Sequence, residues 1–187
     1  MKRLALLLVI LAACGDNDGP PLQYTNPPKG GKLRLVRNPD TSMSYVKLDL
    51  VVGDQPLTGY SVGFDLPLDD TKVALGDFTP LTALDPGKDP VAAKASLPPE
   101  GPLAHVLVAG LSQKADGTGA IATDTQLQPG AKLFTIELDL LTGAKSGVVF
   151  DGTASGFVLP SGGMRDRAGN SVVDPADVAI GKLQVNR

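Results

Sequence analysis

Few residues in this chain carry side chains suited to chemistry, and their spacing keeps them apart. His105 is the single histidine and Cys14 the single cysteine. A zinc site needs several His, Cys or carboxylate ligands, and a serine nucleophile needs a base within hydrogen-bond reach. His105 stands in the apolar stretch Leu103–Leu111 without such companions and reads as a structural side chain. The two glutamates are Glu100, in a Pro-Pro-Glu-Gly-Pro loop, and Glu137, on the outward side of an alternating run. That is a poor match to the facing carboxylates of a glycosidase. No Gly-x-Ser-x-Gly elbow occurs, and Ser161-Gly162-Gly163 after Pro160 is turn chemistry. Catalysis is not expected.

The aspartates offer a milder chemistry. Calcium takes carboxylate and carbonyl oxygens from loops. Asp65, Asp69 and Asp70 are close in sequence, as are Asp166, Asn170, Asp174 and Asp177. Asp166, Asn170 and Asp174 are the calcium candidates, although they lack the Asp-x-Asp-x-Asp-Gly spacing and bidentate glutamate of an EF-hand loop. The competing reading is a polar hairpin turn on Ala168-Gly169-Asn170 with its acids solvated. No other cofactor is expected.

Cys14 has a different setting. Lys2 and Arg3 precede an unbroken apolar run from Leu4 to Ala13. As a signal helix this run is ~15 Å long, against about 30 Å for a bilayer core, so it cannot span. Cations, apolar run and small residues follow in the order of an export signal. Leu11-Ala12-Ala13-Cys14 resembles the lipobox of bacterial lipoproteins. The resemblance implies cleavage before Cys14, a diacylglycerol thioether on its sulfur and a further acyl chain, such as palmitate, on the new amino terminus. Lipidation would also remove a free thiol from an oxidising compartment. Residue 15 is Gly rather than Asp, which points to the outer membrane of the cell envelope, with the protein facing either the periplasm or the outside.

The elements that must hold these residues follow from patterning. Loss of Lys2 and Arg3 leaves 15 cations against 20 acids, a net charge of −5, which argues against a nucleic-acid partner. Residues 15–31 hold two Pro-Pro pairs with Gly at both ends and read as a disordered tether. Residues 1–13 are then the signal, 14–31 the lipidated cysteine and tether, and 32–187 one domain. Within it apolar residues alternate with period two, the mark of strands half-buried on a sheet. The clearest runs are Tyr45–Val52, Gly59–Leu66 and Leu133–Leu141, with others at Leu33–Leu35 and His105–Ala109. Shorter strands are expected at Val148–Phe150, Gly156–Leu159 and Val172–Val173. A last one is expected at Val178–Val185, with a bulge at Gly181 where its inward phase changes. Only Val91–Ser96, boxed between Pro90 and Pro98, leaves room for a turn or two of helix. The fold class is all-β.

Three segments bear a resemblance to the cohesin-like modules, jelly-roll β-sandwiches of about nine strands related to carbohydrate-binding modules. YVKLDLVVGDQPLTGYSVGFDLPLDDTKVAL is similar to the family's opening strand pair and its acidic step, here Phe64, Leu66, Asp69 and Val73. GAKLFTIELDLLTG resembles a later strand, and MRDRAGNSVVD the terminal hairpin. An immunoglobulin-type sandwich is the rival fold. The resemblance implies a non-catalytic binding or adhesion module whose partner is an envelope protein or, alternatively, a polysaccharide; a hydrolase is the third reading. A protein binder should present a flat apolar patch on strands. A sugar binder should present a groove with Tyr45 or Phe78 exposed.

The lipid reading is directly testable. Cys14→Ser is expected to abolish incorporation of labelled fatty acid and to move the protein into the soluble fraction. Continued labelling of the variant would exclude Cys14 as the attachment point.

Overall fold

Alternating apolar side chains oblige each strand to turn one face to a core and the other to water. A computed structural model of the chain describes residues 21–81, 84, 92–113 and 123–186, and in it that demand is met by a β-sandwich. Numbered in chain order, one five-stranded sheet runs β14 (Val178–Ala179), β2 (Leu33–Arg37), β3 (Tyr45–Val52), β10 (Lys132–Leu140) and β6 (Val73–Pro80). The other runs β13 (Ser171–Val173), β12 (Ser161–Arg165), β5 (Ser61–Pro67), β8 (Val106–Ser112) and β7 (Ala92–Ser96). A ribbon of β1 (Leu22–Thr25), β15 (Lys182–Val185) and β11 (Gly147–Asp151) and a short pair, β4 (Leu57–Gly59) and β9 (Thr125–Leu127), complete the set. Every pairing is antiparallel except β14 with β2.

The core lies between the two large sheets. Val46, Leu48, Leu50, Phe134, Ile136 and Leu138 point into it from one side, and Val62, Phe64, Leu66, Leu107, Ala109 and Leu111 from the other. Phe64 and Phe134 meet across the gap with ring centroids 5.7 Å apart. Burying a side chain of this size is worth about 1.5–3 kcal/mol, so the register of every inner strand is set by which alternate residues are apolar. The acidic step between Phe64 and Val73 has a local cause. The Asp69 Oδ1 atom accepts from the Thr71 amide (3.1 Å) and hydroxyl (2.5 Å), closing a turn that delivers Val73 to the core.

Several sequence expectations need correction. The tether of 14–31 is too long: Leu22–Thr25 is a strand paired with β15, and Leu22 and Tyr24 are buried in the core. The domain therefore starts at Leu22, not residue 32. Its two alternate apolar side chains were masked by the prolines on either side. Ala92–Ser96 is an edge strand paired with β8, not a helix, because the neighbouring strand offers backbone partners that an isolated turn of helix lacks. The residues of 156–159 form no strand, although Leu159 is buried. The described residues hold fifteen strands rather than about nine, since short ribbon and edge segments add to the two main sheets. Cys14 and the signal lie outside the described residues.

Gly181 is a crossover rather than a bulge. It separates β14, which belongs to the first sheet, from β15, which belongs to the ribbon. A Cβ there would stand 2.0 Å from the Thr25 carbonyl oxygen, so the crossover admits no side chain. The Tyr24 hydroxyl donates to the Leu35 carbonyl (2.7 Å) and accepts from the Gly181 amide (2.9 Å). Burial pushes its pKa well above the usual tyrosine value, which the Gly181 amide only partly offsets, so it stays a neutral donor. Tyr24→Phe keeps the ring but leaves both backbone groups unpaired, a loss of about 1–3 kcal/mol. A urea midpoint unchanged from the parent chain would remove Tyr24 from this role.

Candidate functional site: the outer face of the β12–β5–β8–β7 sheet

Side chains of one sheet face fall into rows across the strands, because residues i and i+2 of each strand share a face. On the outer side of the second sheet the register places Gly163 opposite Gly63, Gly63 opposite Gly110 and Gly110 opposite Lys94. One flanking row holds Arg165, Ser61 and Ser112, and the other holds Ser161, Asp65, Val108 and Ser96. A strip without side chains thus crosses three strands, closed at the β7 end by Lys94 and edged by hydroxyls. With Leu103 at its margin, it forms an open depression of about 770 Å³.

These glycines have different causes. Gly163 has φ +102, and a Cβ on it would stand 1.9 Å from the Val173 carbonyl oxygen. A Cβ on Gly63 would stand 2.7 Å from the Ala109 carbonyl oxygen. At both positions the close backbone leaves no room for a side chain. Gly110 is otherwise: a Cβ there meets nothing nearer than 3.6 Å, and its φ lies outside the left-handed region. The backbone does not require this glycine.

The polar groups of the face are mostly unspent. Ser161 donates to Asp65 at 2.6 Å, and the Arg165 guanidinium donates to the Gly169 carbonyl at 3.1 Å. Among the described residues Lys94 forms no ion pair. The face is not the flat apolar patch expected of a protein binder: the half-buried Val108 and the exposed Leu103 are its main apolar side chains.

The outer face of the first sheet is its opposite, an ionic lattice closed on itself. Asp49 is on the outward side of β3, yet only 1% exposed. It accepts from Asn38 Nδ2 (2.8 Å) and Thr135 Oγ1 (2.7 Å) and pairs with Lys132 Nζ (2.7 Å). Burial pushes its carboxyl pKa up, but the donors from Lys132, Asn38 and Thr135 outweigh that and hold it below the usual carboxylate range. Lys47 bridges Asp40 (2.6 Å) and Glu137 (3.5 Å) and lies over the Tyr45 ring, 5.3 Å from its centroid. Glu137 stands directly opposite Asp77, a like-charge pair that Lys47 relieves.

The residues singled out in sequence do not converge. Asp166 and Asn170 close the β12–β13 hairpin: both carboxylate oxygens of Asp166 accept from Asn170, through its amide and its side chain, each at 2.8 Å. Asp174 accepts from Ser171 Oγ at 2.5 Å. The hairpin-turn reading accounts for these contacts, and no group of three or more His, Cys, Asp or Glu suited to a metal occurs among the described residues. His105 is exposed, in a turn with φ +63, and its Nδ1 lies 2.8 Å from Asp70 Oδ1. It precedes β8 rather than lying inside it. Glu100 is exposed in its loop and Glu137 belongs to the ionic lattice. Phe78 is packed on Phe134, with centroids 5.2 Å apart. The glycine row and Lys94 escaped the sequence reading. The available signal was glycine at outward positions of two alternating strands, where a sheet ordinarily carries polar side chains.

No family model and no curated protein matches the chain. Among solved structures it is similar to a chain of a type I cohesin–dockerin complex from Clostridium thermocellum, with 10% identity, TM-score 0.43, and coverage of 85% of this chain and 98% of that one. It is also similar to CaCohA2 from Clostridium acetobutylicum, with 13% identity, TM-score 0.38, and coverage of 86% and 90%.

Asp49 sets a pH dependence. Its folded pKa is depressed, so its contribution to stability is fully present above the unfolded carboxylate value of about 4 and is lost as pH falls through the folded value. Asp49→Asn is expected to lower stability at neutral pH and to flatten the fall on acidification, measured by urea unfolding across an acid series. A variant curve parallel to that of the parent chain would exclude Asp49 as the source.

Proposed function

We propose that this protein is a non-catalytic binding module of the bacterial cell envelope, held to the outer membrane by lipid on Cys14. We further propose that it engages a protein partner through the outer face of the β12–β5–β8–β7 sheet. The observation that carries the reading is Gly110. A glycine inside a strand costs about 0.5–1 kcal/mol relative to alanine, and here neither φ nor packing requires it. What it provides is space, continuous with Gly63 and Gly163, where another surface can approach the sheet backbone. The hydroxyls of Ser61, Ser96 and Ser112 and the ammonium of Lys94 then supply orientation without bulk.

Two features favour a protein over the alternatives. The one aromatic side chain bordering the depression, Phe64, is buried beneath the sheet, while Phe78 and Tyr45 are engaged by Phe134 and Lys47. A polysaccharide would therefore lack a stacking platform on this face. The carboxylate on the face, Asp65, is held by Ser161 and has no second carboxylate in its row, so the arrangement supports binding rather than hydrolysis.

Gly110→Arg tests this. The new side chain stands upright in the strip without backbone strain, so stability is expected to change by less than about 0.5 kcal/mol, as for an ordinary surface substitution. Capture of the envelope partner from detergent extract should fall by at least an order of magnitude. Unaltered capture by a folded Gly110→Arg variant would exclude this face. Binding on a glycan array with no protein partner would replace the reading by the polysaccharide one.

A further inference from the structure

The end of the sandwich nearest the start of the domain has a distinctive surface. Backbone hydrogen bonds join its loops: Leu140 to Ser44, Leu141 to Lys72, Asp69 to Val149 and Leu68 to His105. Pro21, where the chain enters the fold, lines a hollow there with Met43, Leu140 and Gly143. Four large apolar side chains are exposed among the described residues, and three belong to this end: Met43 (69%), Leu103 (45%) and Val148 (44%). Its acids Asp69 and Asp70 are engaged by Lys72 and His105. Lys145 and Glu100 are exposed in the loops of this end and form no ion pair among the described residues, so the surface is mixed. Its exposed apolar side chains are suited to the interface of a bilayer, where side chains lie ~5–10 Å deep.

The length of chain from Cys14 limits how far this end can stand from a lipid surface. With the domain beginning at Leu22 instead of residue 32, eight residue steps separate the cysteine from the first strand, which is at most about 28 Å of extended chain. We propose that this end of the sandwich rests on the lipid surface, with Met43 inserted among the headgroups. The proposal builds on the lipid reading of Cys14. It fixes an orientation: the strands of both sheets stand upright, and the glycine row, which crosses them, runs parallel to the membrane. A partner then approaches from the side, within the plane of the envelope, rather than from above.

The chain contains no tryptophan, so Met43→Trp and Gln55→Trp each introduce a single reporter, the first at the lipid end and the second in the exposed turn at the opposite end. The lipidated full-length protein is reconstituted in phosphatidylethanolamine–phosphatidylglycerol vesicles with or without brominated acyl chains. The Met43→Trp emission should be quenched roughly twofold by the brominated lipid, as expected at interfacial depth, and that of Gln55→Trp left unchanged. In the unsubstituted chain, amides of residues 42–44 should exchange hydrogen more slowly on vesicles than in detergent, with residues 53–56 unaffected. Vesicle-bound protein that shows neither quenching at 43 nor protection at 42–44 would overturn the docking while leaving the anchor intact. Quenching at 55 would overturn the orientation, and protein that does not float with vesicles would overturn the anchor and the docking together.

Discussion

The buried hydroxyl of Tyr24 ties together three parts of the chain that would otherwise be independent. It joins the first strand to Leu35 in β2 and to Gly181, the point where the last stretch of chain leaves one sheet for the ribbon. A sandwich assembled from its central strands alone would leave β2 and β15 meeting an unfilled edge. β1 fills it with Leu22 and the Tyr24 ring, which lies 6.0 Å from that of Phe150. The hydroxyl converts this apolar filling into a defined register, because a buried donor and acceptor must be matched or their desolvation is lost. The absence of a side chain at Gly181 lets the Thr25 carbonyl and the phenol pack so close. The beginning and end of the domain are therefore a single structural unit.

The two outer faces show contrary uses of polar residues. On β3 and β10 nearly every charge has a partner on the same face, to the degree that Asp49 is buried by its own ligands. Such a lattice has little left to offer a binding partner, since displacing any member would strand another. On β5, β8 and β12 the hydroxyls are small and largely unengaged, and the middle row is glycine. A partner there has no internal network to dismantle. This asymmetry, rather than total hydrophobicity, distinguishes the candidate surface. It also explains why a search for an apolar patch would pass over it.

The central strands were legible in the sequence because most of their length alternates: Tyr45–Leu50, Ser61–Pro67 and Phe134–Leu138 place their apolar residues in the core as period two requires. The periphery was not. β1 has only two inward residues and sits among prolines, β7 is Ala-Ala-Lys-Ala-Ser with no apolar signal, and the residues of 156–159 bury Leu159 from a loop. In each case pairing or packing with a distant segment decides the outcome, and no local window contains that information. The hairpin turn at Asp166–Asn170 could be read because its hydrogen bonds are local. The glycine row could not, because its members are brought together only by the register of three strands.

The same distinction separates the glycines in function. Gly163 and Gly63 would be kept by any protein that packs its strands this way, since the Val173 and Ala109 carbonyls occupy the space of a side chain. Their presence says nothing about a partner. Gly110 extends their bare strip to Lys94 without any such constraint. An alanine or serine there would strengthen the strand and leave the core untouched. The fold alone would favour the substitution, so the residue is best explained by something outside the fold that needs the strip uninterrupted. On the proposed docking that strip would lie at a constant height above the bilayer, a geometry suited to a neighbour held in the same membrane.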